Sequence, residues 1–252
     1  MLQAICNGKS RLYQRYLGHR EEGEGRVSEE DEITSLIMGP LEYLPPAQVT
    51  EFWRAVVEHG CSSATLFPVG AAEHVKMNFW QRRTIEPDLF VELIWDNGER
   101  RLLLVEFKWR APLSGDDQLH RQWREFLTAE ERCDAYHLFI APDISAGLNA
   151  KGEQDIWGGK LLLRSWLSIL YVLRALNCHG SLGMQTWASQ VSVLLGKLGI
   201  ARFQGFSQLA APNEVPHSPV FWNPLSGFTA IAPMPSTSGF ENSSSIFWST
   251  KP

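Results

Sequence analysis

Apolar positions recur at helical spacing twice near the start of the chain, then give way to runs with the texture of strands. Ile33, Leu36, Ile37, Leu41 and Leu44 share one face of a predicted helix. Ser28 is placed to cap it, Glu29, Glu30, Asp31 and Glu32 fill a first turn that favours acids, and Pro45-Pro46 ends it. Val49, Phe52, Trp53, Val56 and Val57 predict a second helix over about 47–58, stopped at Gly60. Residues 65–69, 75–80, 89–95 and 101–109 are β-branched or aromatic runs, and Asp96-Asn97-Gly98 between the last two is a hairpin turn signal. Leu102-Leu103-Leu104-Val105 is apolar on both faces, as a central strand covered by helices would be. Helical spacing returns over 116–131 through Leu119, Trp123, Phe126 and Leu127; 135–141 reads as a buried strand ended by Pro142; two helices are predicted over 159–177 and 184–198.

This order predicts an α/β domain with a mixed central sheet flanked by helices. Residues 1–27 read as a loose polar leader, 28–200 as the domain (core 28–142, additional helices 159–198), and 201–252 as a tail. From Phe203 onward the chain holds seven of its 14 prolines and only Glu214, Glu241 and Lys251 as charged residues, together with Phe206, Phe221, Trp222, Phe228, Phe240, Phe247 and Trp248. Low charge with proline and serine suggests a linker. So many rings suggest instead a segment that wraps the domain or docks on a partner.

Charge and cysteine usage narrow the function classes. With 23 basic and 28 acidic residues the chain carries a formal charge of -5, so bulk charge does not draw it to nucleic acid and any such binding must be local. Cys6, Cys61, Cys133 and Cys178 form no CxxC pair, which argues against a zinc ribbon or disulfide framework and fits free thiols in the cytoplasm. No run is long and apolar enough to predict a membrane span, and the first ten residues do not read as a signal peptide.

The candidate chemistry lies in the hairpin. Glu86-Pro87-Asp88 begins one strand and Val105-Glu106-Phe107-Lys108 ends the next, so the turn brings Asp88 beside Glu106. Glu106 and Lys108, two apart, point to one face. Two carboxylates with the Phe107 carbonyl between them suit a hard divalent ion such as Mg²⁺, and a nearby lysine can orient water and offset phosphate charge.

Pro87-Asp88 and Glu106-Phe107-Lys108 resemble the paired motif of the PD-(D/E)XK nuclease superfamily. The resemblance spans about 28–142 and extends to an acidic helix before the hairpin and a glutamine on the helix after it. It implies a restriction-endonuclease-like αβββαβ core and Mg²⁺-dependent DNA hydrolysis, with Mn²⁺ able to substitute and RNA left open as a substrate. Asp88, Glu106, the Phe107 carbonyl and Glu30 (or Glu32 in its place) would hold the metal, Lys108 would position water, and Gln118 would support the lysine or touch a phosphate. Superfamily members of this size serve restriction, phage defence or repair. The other function class is a catalytically inactive module of the same fold that binds nucleic acid or a protein partner.

Read without the resemblance, Glu106 and Lys108 are an exposed ion pair, Asp88 a turn residue, and Glu30 an acid favoured by its helix N-terminus. The apolar strand that Glu106 ends makes a charge there costly without a role. His120 and His137 stand alone and read as structural or surface histidines. Trp109 and Trp123 read as core or rim residues able to stack on a base. Arg82, Arg83, Arg110, Arg121 and Arg124 are candidates for a phosphate track, against the plainer reading of a solvated face. A protein partner or homodimer, docking through the tail, would supply what the net charge lacks.

Overall fold

The computed structural model describes residues 1–19, 29–60, 66–109, 111–115 and 117–201. Ser28, Cys61, Arg110, Asp116 and residues 202–252, with the aromatic tail, lie outside them.

Helices α1 (Leu2–Cys6), a 3-10 turn (Leu12–Leu17), α2 (Glu29–Glu42) and α3 (Pro46–Glu58) precede a five-stranded sheet in the order β1-β2-β3-β4-β5. Strands β1 (His74–Phe79), β2 (Leu89–Ile94) and β3 (Arg100–Phe107) form an antiparallel meander, while β4 (Ala135–Ala141) and β5 (Leu161–Ser165) add parallel to β3. The parallel additions need crossovers. The first is α4 (Gln118–Arg121), a π-helical turn (Gln122–Phe126) and α5 (Glu131–Asp134); the second is α6 (Ser145–Glu153). Helices α7 (Trp166–His179) and α8 (Leu182–Lys197) follow. The expected α/β architecture with a mixed, helix-flanked sheet is present. No helix among the described residues is long and apolar enough to cross a membrane.

The two faces of the sheet build separate cores. Leu89, Val91, Leu103, Val105 and Phe107 pack with α2, α3, α7 and α8, whereas Phe90, Leu102 and Leu104 pack with Leu119, Trp123 and Phe126. The alternation of Leu102 to Phe107 between the two cores is the period-2 geometry of a strand covered on both sides. The turn signal holds: Trp95 and Glu99 close it through a 2.9 Å backbone bond, Asn97 Oδ1 accepts from the Glu99 amide, and Gly98 takes φ 79°.

Several sequence-based expectations give way. Residues 1–19 are not loose: Leu2, Ile5 and Tyr16 are buried in the first core. Residues 66–69 form no strand. Side chains satisfy their backbone groups instead, since Glu58 accepts from the Leu66 and Phe67 amides, and Arg101 and Arg54 donate to the carbonyls of Leu66 and Pro68. The expected helix over 116–131 breaks after Phe126, where Leu127 is extended. The helix expected from 159 begins only at Trp166. Leu161–Ser165 instead pairs with β4, and Ser165 Oγ accepts from the Ser168 amide as the cap of α7. A short apolar run reads equally as strand or helix, and the open edge of β4 decides between them.

Helix α6 has no amphipathic signal in the sequence and is held by close approach. A Cβ on Gly147 would fall against Leu163 and 2.9 Å from Phe139 Cδ1. Gly147→Val is therefore expected to lower stability by about 1–3 kcal/mol through overpacking, read as a shifted urea midpoint with an unchanged slope.

Candidate active site

The β2–β3 register pairs Leu89 with Val105, so one residue further Asp88 stands opposite Glu106. Asp88 turns its Oδ2 to the Phe107 amide, at 2.7 Å. Phe107 packs its ring on Trp166, with centroids 5.7 Å apart. Lys108 is pinned through its backbone, its N–H donating to the Ile140 carbonyl (2.8 Å) and its carbonyl accepting from the Trp166 indole (2.9 Å). These contacts fix where the end of β3 presents Glu106 and Lys108.

Glu106 is 2% exposed and fully engaged. Its Oε1 accepts from Lys108 Nζ at 2.9 Å and Gln118 Nε2 at 2.7 Å, and its Oε2 from Gln122 Nε2 at 2.6 Å. Glu30, in the first turn of α2, reaches over the strand end. Its Oε2 lies 3.3 Å from Lys108 Nζ and its Oε1 accepts from the Trp109 amide at 2.8 Å. Glu32 faces elsewhere and accepts from the Tyr16 hydroxyl at 2.8 Å. Of the two acids left open by the sequence, Glu30 is the one brought to the lysine.

Asp88, Glu106 and Glu30 thus surround a single ammonium, and the electrostatics reflect this imbalance. Burial, and then the Glu106 charge, push the Asp88 carboxyl far above the ordinary carboxylate range, to about 8; the Phe107 amide and Lys108 offset this only in part. Burial pulls Lys108 down, but Glu106, Glu30 and Asp88 together hold it above its ordinary value, so it stays charged. Among the described residues no group of three or more His, Cys, Asp or Glu side chains is placed to hold a metal ion. A cation here would depend on Asp88 and Glu106 as a pair, with water completing its shell. Beside Lys108 lies a cleft of about 410 Å³ whose walls include Trp109, Leu113, Phe139 and Pro142.

Three residues at this site escaped the sequence reading. Gln122 is completely buried against Glu106; His137, read as a lone structural or surface histidine, is completely buried against Gln122; and Trp157 completes the row. The spacing Gln118-x-x-x-Gln122, two amides one turn apart, is the signal that could have found the first of them. Nothing in the sequence placed the other two.

Three of the arginines considered for a phosphate track are engaged with other side chains. Arg83 pairs with Glu131 (2.8 Å), donates to the Phe126 carbonyl and lies 4.4 Å from the Phe126 ring centroid. It is a tie between the β1–β2 connection and the crossover. Arg121 pairs with Glu125, and Arg124 donates to Gln154. Arg82 is exposed, and Arg110 lies outside the described residues. Trp123, 3% exposed, is a core residue, and Trp109, 5% exposed, is packed in the core at the wall of the cleft.

No family model, curated protein or solved structure matches the chain.

Proposed function

We propose that the chain is a Mg²⁺-dependent nuclease that hydrolyses DNA phosphodiester bonds, built on a restriction-endonuclease-like core. The observation that carries this reading is the convergence at one sheet end of Asp88, Glu106 and Lys108 from adjacent strands, with Glu30 and Gln118 brought in by the flanking helices. The order helix, three-stranded meander, helix, parallel strand supports it.

The donor set fits a hard cation. Among the described residues no hydrogen bond is made to Asp88 Oδ1, and the raised pKa of Asp88 marks a charge that its protein surroundings leave undercompensated. Asp88, Glu106 and the Phe107 carbonyl would hold Mg²⁺ or Mn²⁺, with Glu30 close by. When bound, the ion supplies Lewis-acid stabilisation of the phosphate. Lys108, reached from the cleft beside it, orients the attacking water and offsets charge on the phosphate oxygens. Gln118 holds Glu106 Oε1 beside the lysine. Hydrolysis leaves 5′-phosphate and 3′-hydroxyl ends. Restriction, phage defence or repair, together with a protein partner, is the setting this chemistry suits.

A second reading, an inactive module of the same fold, draws on one observation: Glu106 already accepts from three donors, and Lys108 already sits between two carboxylates. Purified protein incubated with Mg²⁺ or Mn²⁺ and linear, supercoiled or single-stranded DNA, or RNA, separates the two. The nuclease reading expects cleavage that chelator abolishes. Mn²⁺ binding without cleavage of any substrate favours the module, and no Mn²⁺ binding at millimolar concentration removes the metal site altogether.

A further inference from the structure

We infer that Trp157, His137 and Gln122 form a one-way donor chain that positions the Glu106 carboxylate. Trp157 Nε1 lies 3.0 Å from His137 Nδ1, His137 Nε2 lies 3.1 Å from Gln122 Oε1, and Gln122 Nε2 lies 2.6 Å from Glu106 Oε2. The three residues come from separate places, the loop before β5, the middle of β4 and the π-helical turn. They converge on a single carboxylate oxygen.

The direction of the chain is decided at both ends. An indole N–H only donates, so His137 Nδ1 must accept. A neutral imidazole carries one proton, which is then on Nε2 and is donated to the Gln122 amide oxygen. That orientation turns the Gln122 nitrogen to Glu106, whose ionised carboxylate only accepts. Starting from Glu106 gives the same assignment. Burial and neighbouring His120 keep the imidazole neutral by pushing it down to about 3, so the chain does not reverse by protonation in the physiological range. The parallel Trp123 ring, at 7° to the imidazole, limits its rotation.

A merely structural filler at this depth would be hydrocarbon, which is often no less stable than a buried polar array. The chain instead satisfies the one carboxylate oxygen that neither Lys108 nor Gln118 reaches. It therefore holds Glu106 in one orientation independently of Lys108, which pairs with the other oxygen. The π-helical turn that begins at Gln122 is a rare conformation concentrated at functional sites. Gln122, His137 and Trp157 are positioning residues, and their effect on metal binding rests on the nuclease reading above.

Two measurements on the full chain test this. In ¹⁵N-histidine-labelled protein, His137 is expected as a single Nε2–H tautomer, and only the combined Trp157→Phe and Gln122→Met protein, which removes both fixed ends, is expected to lose that preference. A proton on Nδ1 in the wild type would overturn the chain. In Mn²⁺ titrations, Gln122→Met and His137→Leu are expected to weaken binding about 10–100-fold, as outer-shell losses do. His137→Gln, which can still accept from Trp157 and donate to Gln122, is expected to recover most of it. Unchanged affinity in folded Gln122→Met protein would reduce the chain to packing and overturn its positioning role. If the wild type binds no Mn²⁺, the nuclease reading fails, while the tautomer measurement, which needs no metal, still decides the chain.

Discussion

Replacing Lys108 by methionine is expected to cut metal-dependent DNA cleavage by about 10²–10³-fold, the usual effect of removing a group aimed at developing charge. The same substitution is expected to destabilise the metal-free protein by about 3–5 kcal/mol, because Glu106, 2% exposed, would keep its charge with only two amides to face it. The two losses respond differently to added ion. Mg²⁺ or Mn²⁺ between the carboxylates restores positive charge and is expected to recover the stability, read by thermal melting with and without metal. It does not restore the donor that orients water, so cleavage stays low. Cleavage by Lys108→Met protein at the wild-type rate would remove the lysine from the chemistry and leave it an ion-pair partner.

Asp88→Asn is expected to act in opposite directions on stability and on metal binding. The folded Asp88 carboxyl titrates near 8, against 3.8 for an ordinary aspartate. Between these values the folded chain holds a proton that the unfolded chain has released. Stability contributed by the protonated carboxyl is therefore complete below about pH 4, falls as pH rises toward 8 and levels off above it. Asparagine keeps an oxygen for the Phe107 amide and never ionises. Above pH 8 the metal-free variant should exceed wild type by an amount on the order of several kcal/mol, since each tenfold change in acidity corresponds to about 1.4 kcal/mol. Mn²⁺ affinity should nevertheless collapse. In the wild type the same carboxyl must lose its proton to bind metal, so below pH 8 binding is expected to release about one proton and to strengthen with rising pH. Calorimetry in two buffers of different ionisation enthalpy reads that proton directly. A wild-type stability curve flat from pH 5 to 8, with Asp88→Asn less stable than wild type, would show the carboxylate to be a structural acceptor.

Asp88, Glu106 and Lys108 could be named from the sequence because strand geometry is local, whereas Gln118, on a helix, was named by the motif resemblance. The Asp96-Asn97-Gly98 turn sets the hairpin register, and a period of two sets the face. Glu30 was legible as a helix-terminal acid, but its distance from Lys108, 78 residues on, was not. Tyr16 was missed as the partner that takes Glu32 out of contention, because the stretch holding it was read as a loose leader. The partners of the arginines were not legible: sequence proximity to the motif says nothing about which carboxylate each one meets, and Arg83 meets Glu131.

Binary pattern and turn chemistry determined the α/β class and the hairpin that sets Asp88 beside Glu106 and Lys108, and the motif resemblance added Gln118. Only the tertiary structure decided that Leu161–Ser165 is a strand, that Glu30 rather than Glu32 closes on Lys108, and that Trp157, His137 and Gln122 stand in line behind Glu106. The reason is the range of the forces involved. Periodicity reports which side of an element avoids water. A buried carboxylate, an open sheet edge and a desolvated histidine are satisfied by whichever groups the packed chain brings within about 3 Å, and residues remote in sequence supply most of them.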